Sequence, residues 1–171
     1  SCILFGDGAG AAVVRAEEGE LYPSVAGSDG TMGHVLACES RVQNDWQQKE
    51  ADRKTYIDMD GTAVFKFAVR KMPEMAKSLM TQMHCTEADI DWFITHQANE
   101  RIIEAIAKRL KSDIAKFPMN IAECGNTSSA SIPILLDEMN RSGQLKDGQK
   151  IIMAGFGAGL SWGAVYMEWH A

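Results

Sequence analysis

The sequence predicts an α/β fold, with helices packed on a mixed sheet. Three observations carry this. Short apolar runs of strand length, such as Trp92–Thr95 and Lys150–Ala154, alternate with longer stretches whose apolar residues recur at helical spacing. Gly-rich turns, Gly6-Asp7-Gly8-Ala9-Gly10 and Gly155-Phe156-Gly157-Ala158-Gly159, separate strand-like segments. Two chemically distinctive residues, His96 and Asn126, each stand just ahead of a helical pattern.

Ile3–Phe5 and Ala11–Arg15 read as two strands around the first Gly-rich turn, a hairpin or tight crossover. Glu17–Glu20 is a polar loop, Leu21–Ala26 another strand, and Ser28-Asp29-Gly30 turn chemistry. Residues 37–55 are rich in Glu, Gln, Asn and Lys and read as a surface flap, followed by a short strand at Tyr56–Met59. From Gly61 the period becomes helical: Val64, Phe67, Ala68, Met72, Met75, Leu79 and Met83 share a face. Pro73 interrupts that face and predicts a kink or two joined helices. The Met stripe reads as core filling, since methionine adapts to irregular gaps.

Thr86-Glu87-Ala88-Asp89 is a capped single turn. The strand Trp92–Thr95 then runs into His96-Gln97-Ala98-Asn99, and Ile102, Ile103, Ile106, Ala107 and Leu110 mark an amphipathic helix. Gly125-Asn126-Thr127-Ser128-Ser129 opens the helix Ile132–Arg141, which ends at Ser142-Gly143. The strands Lys150–Ala154 and Leu160–Trp169 close the chain around the second Gly-rich turn.

Composition narrows the function classes. The 171 residues suit one domain, or one large domain with a fragment of another. With 46% hydrophobic and 23% charged residues, the chain has the material for a packed core. A net charge of −6 argues against broad nucleic-acid binding. Cys2, Cys38, Cys85 and Cys124 form no CxxC pair and no zinc spacing with the histidines, so no metal site and no disulfide framework is expected. Reduced thiols point to the cytoplasm, and no apolar stretch approaches the roughly 20 residues of a membrane span. The chain opens without Met, inside an apparent strand, which suggests a piece of a longer polypeptide.

The candidate residues are ambiguous by pattern alone. Neither Gly-rich turn precedes a helix, and no Walker lysine follows, so both read as turns and not nucleotide loops. Their bared backbone N–H groups could still face a reacting oxygen. His96 stands where ligands gather in open α/β sheets, yet a lone histidine is more often structural. Asn126 fits an N-cap equally well. Arg101, Lys108 and Arg109 share a helix face, with Lys66 nearby; on charge pattern they read as a solvated face balanced by Glu100 and Glu104.

The motifs resolve part of this. His96-Gln97-Ala98-Asn99 with Arg101-Ile102-Ile103 resembles the His motif of the β-ketoacyl-acyl-carrier-protein synthase III family. Gly125-Asn126-Thr127-Ser128-Ser129-Ala130-Ser131-Ile132-Pro133 resembles its Asn motif. Leu4–Ala11 and Ala154–Gly163 are similar to two further family signatures, in the expected order, so the resemblance covers essentially the whole chain.

The resemblance implies a thiolase-like fold of two layered αβαβα halves, each with a mixed five-stranded sheet. Residues 1–25 would end the N-terminal half and residues 26–171 would form the C-terminal half. It implies a decarboxylative condensation of an acyl-coenzyme A, acetyl-coenzyme A first, with malonyl-acyl carrier protein, starting fatty-acid synthesis without a cofactor. His96 and Asn126 would be two members of a Cys-His-Asn triad. The family cysteine lies between small residues and Gly-Phe; none of the four cysteines here has that context, so the nucleophile is expected on a missing N-terminal half. Phe65 would lie beside the thioester, the Gly157 turn would hold an oxyanion, and Asn99 would touch the pantetheine arm. Arg101, Lys66, Lys108 and Arg109 would dock the acidic carrier protein. The full enzyme would be a homodimer. Two other readings share these residues: a polyketide starter synthase, and a half-domain that only binds or dimerises.

Overall fold

The computed structural model describes residues 3–14, 18–38 and 56–170. The polar flap expected within 37–55 falls mostly outside the described residues, as do Ser1, Cys2, Arg15 and Glu17.

Six strands and four α-helices are described. They are β1 (Ser24–Ser28), β2 (Leu36–Cys38), β3 (Ile57–Met59), α1 (Gly61–Gln82), β4 (Trp92–Thr95), α2 (Glu100–Leu110), α3 (Ile121–Cys124), α4 (Ser131–Arg141), β5 (Lys150–Gly157) and β6 (Ser161–Glu168). Among the described residues the main sheet has four strands in the order β1-β6-β5-β4, against the five that the resemblance implies; β2 and β3 form a separate antiparallel pair. β4 and β5 run parallel and the other pairs antiparallel, so the sheet is mixed.

Strand alternation divides the core in two. Phe93, Ile152, Ala154, Ala164 and Tyr166 face α1 and α2 on one side of the sheet. Ile94, Ile151, Met153 and Met167 face α4 on the other. Each fully buried aliphatic or aromatic side chain there contributes roughly 1.5–3 kcal/mol. The result is three layers, helices on both faces of one sheet.

Most expected elements are present with shifted ends. The turn at Glu87–Asp89 carries the full capping box with Thr86. The boundary expected between residues 25 and 26 cuts through β1, whose ladder with β6 starts at Ser24. Tyr22 also packs on Tyr166, with ring centroids 5.6 Å apart.

Two expectations are corrected. Of the kink or two joined helices expected at Pro73, the second is excluded: α1 is one 22-residue helix with Pro73 inside it. Proline removes the N–H that would bind the carbonyl of Val69. Arg109 Nη1 on α2 donates to that carbonyl instead, at 3.0 Å. The second correction concerns the first Gly-rich turn. Ile3–Phe5 contributes one isolated parallel bridge, Phe5 to Asn126, and residues 6–14 form no strand.

The Gly-rich segment is instead laid along the Asn126 loop. A Cβ at Gly6 would stand 2.0 Å from the Cys124 carbonyl oxygen, and one at Gly10 would stand 2.4 Å from Pro133 Cβ. Glycine is needed at both because backbone lies against backbone or ring.

Candidate active site

β4 delivers His96. Its N–H donates to Ala154 O at 2.9 Å, continuing the pairing with β5, so the residue leaves the sheet on the α4 side. There Nδ1 lies 2.7 Å from the Ser131 hydroxyl at the first turn of α4. The Phe156 ring meets the imidazole edge to face, with centroids 5.6 Å apart. Burial lowers the pKa of His96, so the ring is held neutral. Its Nε2 makes no hydrogen bond among the described residues.

The next residue anchors this corner. Gln97 is fully buried. Its amide donates to Thr95 O at 2.9 Å and to Pro118 O at 3.3 Å, and its carbonyl accepts from the Asn120 N–H at 3.3 Å. Gln97 thus ties the end of β4 to the loop that leads to Asn126.

Asn126 is held by a different device. Its backbone N–H donates to Leu4 O at 2.9 Å and its carbonyl accepts from the Gly6 N–H at 3.0 Å. Gly125 turns the chain into the loop at φ +68°, which an L side chain rarely adopts. The Asn126 Oδ1 accepts from the Ser128 N–H at 2.9 Å. That fixes the amide orientation, because only the oxygen can accept, and Nδ2 makes no hydrogen bond among the described residues. Ser128 is itself in the left-handed region at φ +55°, a strain of about 1–2 kcal/mol that this Asx bond helps to hold.

His96, Asn126 and Ser131 line one cavity of about 670 Å³. Its walls are largely apolar, with Leu36, Met59, Val64, Ile102 and Phe156 among them. Three other sequence candidates line it as well: Phe65, Asn99 and Gly157. Phe65 is 37% exposed, so it is not spent on core packing. Asn99 has a structural task too, since its Oδ1 caps α2 by accepting from the Arg101 N–H at 2.9 Å. Nothing lies within 4 Å of a Cβ built on Gly157, so that backbone faces open space.

The basic residues are not part of this cavity. Arg101, Lys66 and Lys108 are exposed on the paired helices α1 and α2. Arg109 lies on the same helix pair, with its guanidinium on Val69 O. Cys38 lies on the cavity wall, whereas Cys85 and Cys124 do not. Among the described residues, no group of three or more His, Cys, Asp or Glu is placed to hold a metal ion. No described helix is long and apolar enough to cross a membrane.

The cavity thus brings the His96 ring and the Asn126 amide together against largely apolar walls. Ser131, Gln97 and Phe156 also belong to this site, and the sequence does not single them out. Ser131 and Gln97 fall within the two motifs, yet their partners are distant in sequence, so spacing does not reveal them.

Comparisons with known proteins identify the family. The family model described as the C terminal part of 3-oxoacyl-[acyl-carrier-protein (ACP)] synthase III matches residues 80–169. The chain belongs to the 3-oxoacyl-[acyl-carrier-protein] synthase III family. It is 45% identical over 172 residues to the β-ketoacyl-[acyl-carrier-protein] synthase III of Clostridium novyi, covering 99% of this chain and 53% of that protein. The corresponding synthase of Clostridium acetobutylicum is 43% identical over 171 residues, again covering 99% and 53%.

Among solved structures, the synthase III of Aquifex aeolicus superposes with a TM-score of 0.85 at 37% identity, over 99% of this chain and 51% of that one. The priming β-ketosynthase of the R1128 polyketide pathway superposes with a TM-score of 0.77 at 33% identity, over 86% and 44%. These relatives confirm the thiolase-like, condensing-enzyme fold. The chain spans about half the length of the relatives it matches.

Proposed function

We propose that this chain is the decarboxylating side of a β-ketoacyl-acyl-carrier-protein synthase III. The observation that carries the reading is the pairing of donors: Asn126 has its Oδ1 engaged by Ser128 and His96 its Nδ1 by Ser131, which leaves Nδ2 and Nε2 for one shared apolar cavity.

The chemistry needs such a pair. In malonyl-acyl carrier protein the bond to the carboxylate breaks and CO₂ leaves. The electron pair forms an enolate whose charge develops on the thioester oxygen. Two preorganised neutral donors stabilise that oxygen without water to compete. The enolate carbon then attacks an acyl thioester held on the enzyme cysteine. The tetrahedral intermediate collapses, the C–S bond breaks, and the thiolate returns to the cysteine. The chain's residues supply the donors; the cysteine belongs to the complementary half.

The bare apolar side chains fit that division. Ile3, Val13, Val14 and Leu21 are each at least 90% exposed, and they lie in the segment expected to adjoin the other half. Phe65 and Asn99 would contact the thioester and the pantetheine arm, and the Gly157 N–H the second oxyanion. Arg101, Lys66 and Lys108, exposed on α1 and α2, would meet the acidic carrier protein, with Arg109 behind them. The family fold is compatible with a homodimer working in the cytoplasm. Likeness to a polyketide priming enzyme leaves acyl-chain choice as the property that separates the two activities.

The test is release of labelled CO₂ from malonyl-acyl carrier protein by the intact enzyme that carries this chain. Asn126→Asp keeps an acceptor for the Ser128 N–H and removes the donor. It is expected to slow decarboxylation by about 10²–10³ or more. Wild-type rates in that variant overturn the reading. Given labelled acetyl-coenzyme A, the chain alone is expected to form no acyl-enzyme; label on Cys38, on the cavity wall, would assign the nucleophile to this chain instead.

A further inference from the structure

Ser131 makes two contacts that together decide where the His96 proton resides. The Gln97 backbone N–H points at Ser131 Oγ, at 3.3 Å, and an N–H can only donate. The hydroxyl oxygen therefore accepts there. Its own hydrogen needs an acceptor, and its other partner is His96 Nδ1 at 2.7 Å. If Nδ1–H instead donated to Oγ, the oxygen would accept twice. The hydroxyl hydrogen would then have no acceptor among the hydrogen bonds of the described residues. Ser131 is 2% exposed, so water is a poor substitute.

We propose that Ser131 is a positioning residue that donates to Nδ1 of His96, so that the single ring proton stays on Nε2 and faces the cavity. This rests on the proposed decarboxylating role of the site and states how that role is set up. A histidine with the opposite tautomer would present a bare lone pair to the thioester oxygen, and two lone pairs repel. Placement at the first residue of α4 adds a second bias. The helix N-terminus carries partial positive charge, which disfavours an imidazolium against it. The serine thus selects one of the two neutral forms, and the helix end works against the charged one.

Phe156 completes the setting. It meets the ring from the side, so the imidazole cannot swing away from Ser131 without losing an aromatic contact. The arrangement resembles the way a second residue orients a catalytic histidine in many sites, with a neutral hydroxyl in place of a carboxylate. A hydroxyl donor keeps the ring uncharged; a carboxylate acceptor would pull the proton to Nδ1 and favour the imidazolium.

The experiment is ¹⁵N NMR of the imidazoles in the intact enzyme, with the His96 signals assigned by loss in His96→Gln. The expected wild-type spectrum shows an unprotonated, hydrogen-bonded Nδ1 and a protonated Nε2. A protonated Nδ1 in the wild type overturns the proposal without any variant. Ser131→Ala is expected to shift population toward protonated Nδ1 and to lower kcat for malonyl thioester decarboxylation about tenfold, the worth of one hydrogen bond, with KM little changed. Ser131→Thr retains the hydroxyl and is expected to restore the wild-type ¹⁵N pattern. Unchanged His96 signals in a folded Ser131→Ala also overturn it. If the enzyme failed to decarboxylate malonyl thioesters while the ¹⁵N results held, the proposed function would fall and the tautomer assignment would stand.

Discussion

The two proposed donors of the site, His96 and Asn126, are mounted by opposite means. His96 is held from within the body of the molecule. It continues β4, which pairs with β5 at the end of the sheet, its neighbour Gln97 is fully buried, and its ring is fixed by Ser131 and Phe156 side chains. Asn126 is held from outside, by backbone bonds to Leu4 and Gly6 on a segment that joins no ladder beyond one bridge. The histidine side depends on side-chain chemistry and packing. The asparagine side depends on the absence of side chains, since Gly6 and Gly10 must be bare for the strap to lie down. A site assembled from a rigid wall and a strapped loop should therefore fail in two separable ways.

A pair of substitutions breaks the comparison apart. Gln97→Ala leaves the Pro118 carbonyl and the Asn120 N–H without their buried partner, besides opening a hole at the end of β4. At about 1–3 kcal/mol for each unsatisfied group, the expected global loss is about 3 kcal/mol or more. Gly6→Ala drives a Cβ into the Cys124 carbonyl, an overpacking expected to cost about 1–3 kcal/mol. That cost should appear mainly as release of the strap. Amide hydrogen exchange separates them. In Gly6→Ala the Asn126 N–H, bonded to Leu4 O, should exchange faster while the His96 N–H, bonded to Ala154 O, stays protected. In Gln97→Ala both should lose protection with the global drop. Equal exposure of both amides in Gly6→Ala would show that the two mountings are one unit.

How much of this was legible in the sequence follows the same division. The elements of the wall were readable because periodicity reports them: β4, α2, α4, β5 and β6 all appear near the expected bounds. His96 and Asn126 were readable through their motifs, while pattern alone left each with a structural excuse. The asparagine does serve locally, through Ser128, as well as lining the cavity.

What stayed hidden is long-range compensation. Arg109 reads as a surface charge, and its bond to the Val69 carbonyl makes sense only once Pro73 is seen to have orphaned that carbonyl 40 residues earlier. The Gly-rich strap reads as turn chemistry because a glycine required by close approach and one required by a turn are the same letter. Ser131 reads as a helix-start serine, and its partner stands 35 residues away. The five-stranded sheet and the boundary after residue 25 came from the family pattern. The described ladder is set by which strands find partners here, and those are four, beginning at Ser24.

The smallest expected effect sharpens the histidine side. Burial lowers the pKa of His96 in the folded chain below the value near 6.5 that it has when unfolded. As pH falls through about 6.5 the unfolded chain takes up the proton first, so the unfolded state binds more protons and stability declines. Once pH passes below the folded pKa both states are protonated and the loss levels off. Above about pH 7 the histidine is neutral in both states and the contribution is flat. His96→Gln removes this titration. Denaturant midpoints of wild type and His96→Gln should therefore differ by a constant above pH 7. Below 6.5 the difference should move against the wild type. A difference that stays constant from pH 8 to pH 5 would mean that the ring is not held neutral by burial. The rigid mounting would then constrain the position of the imidazole and not its charge.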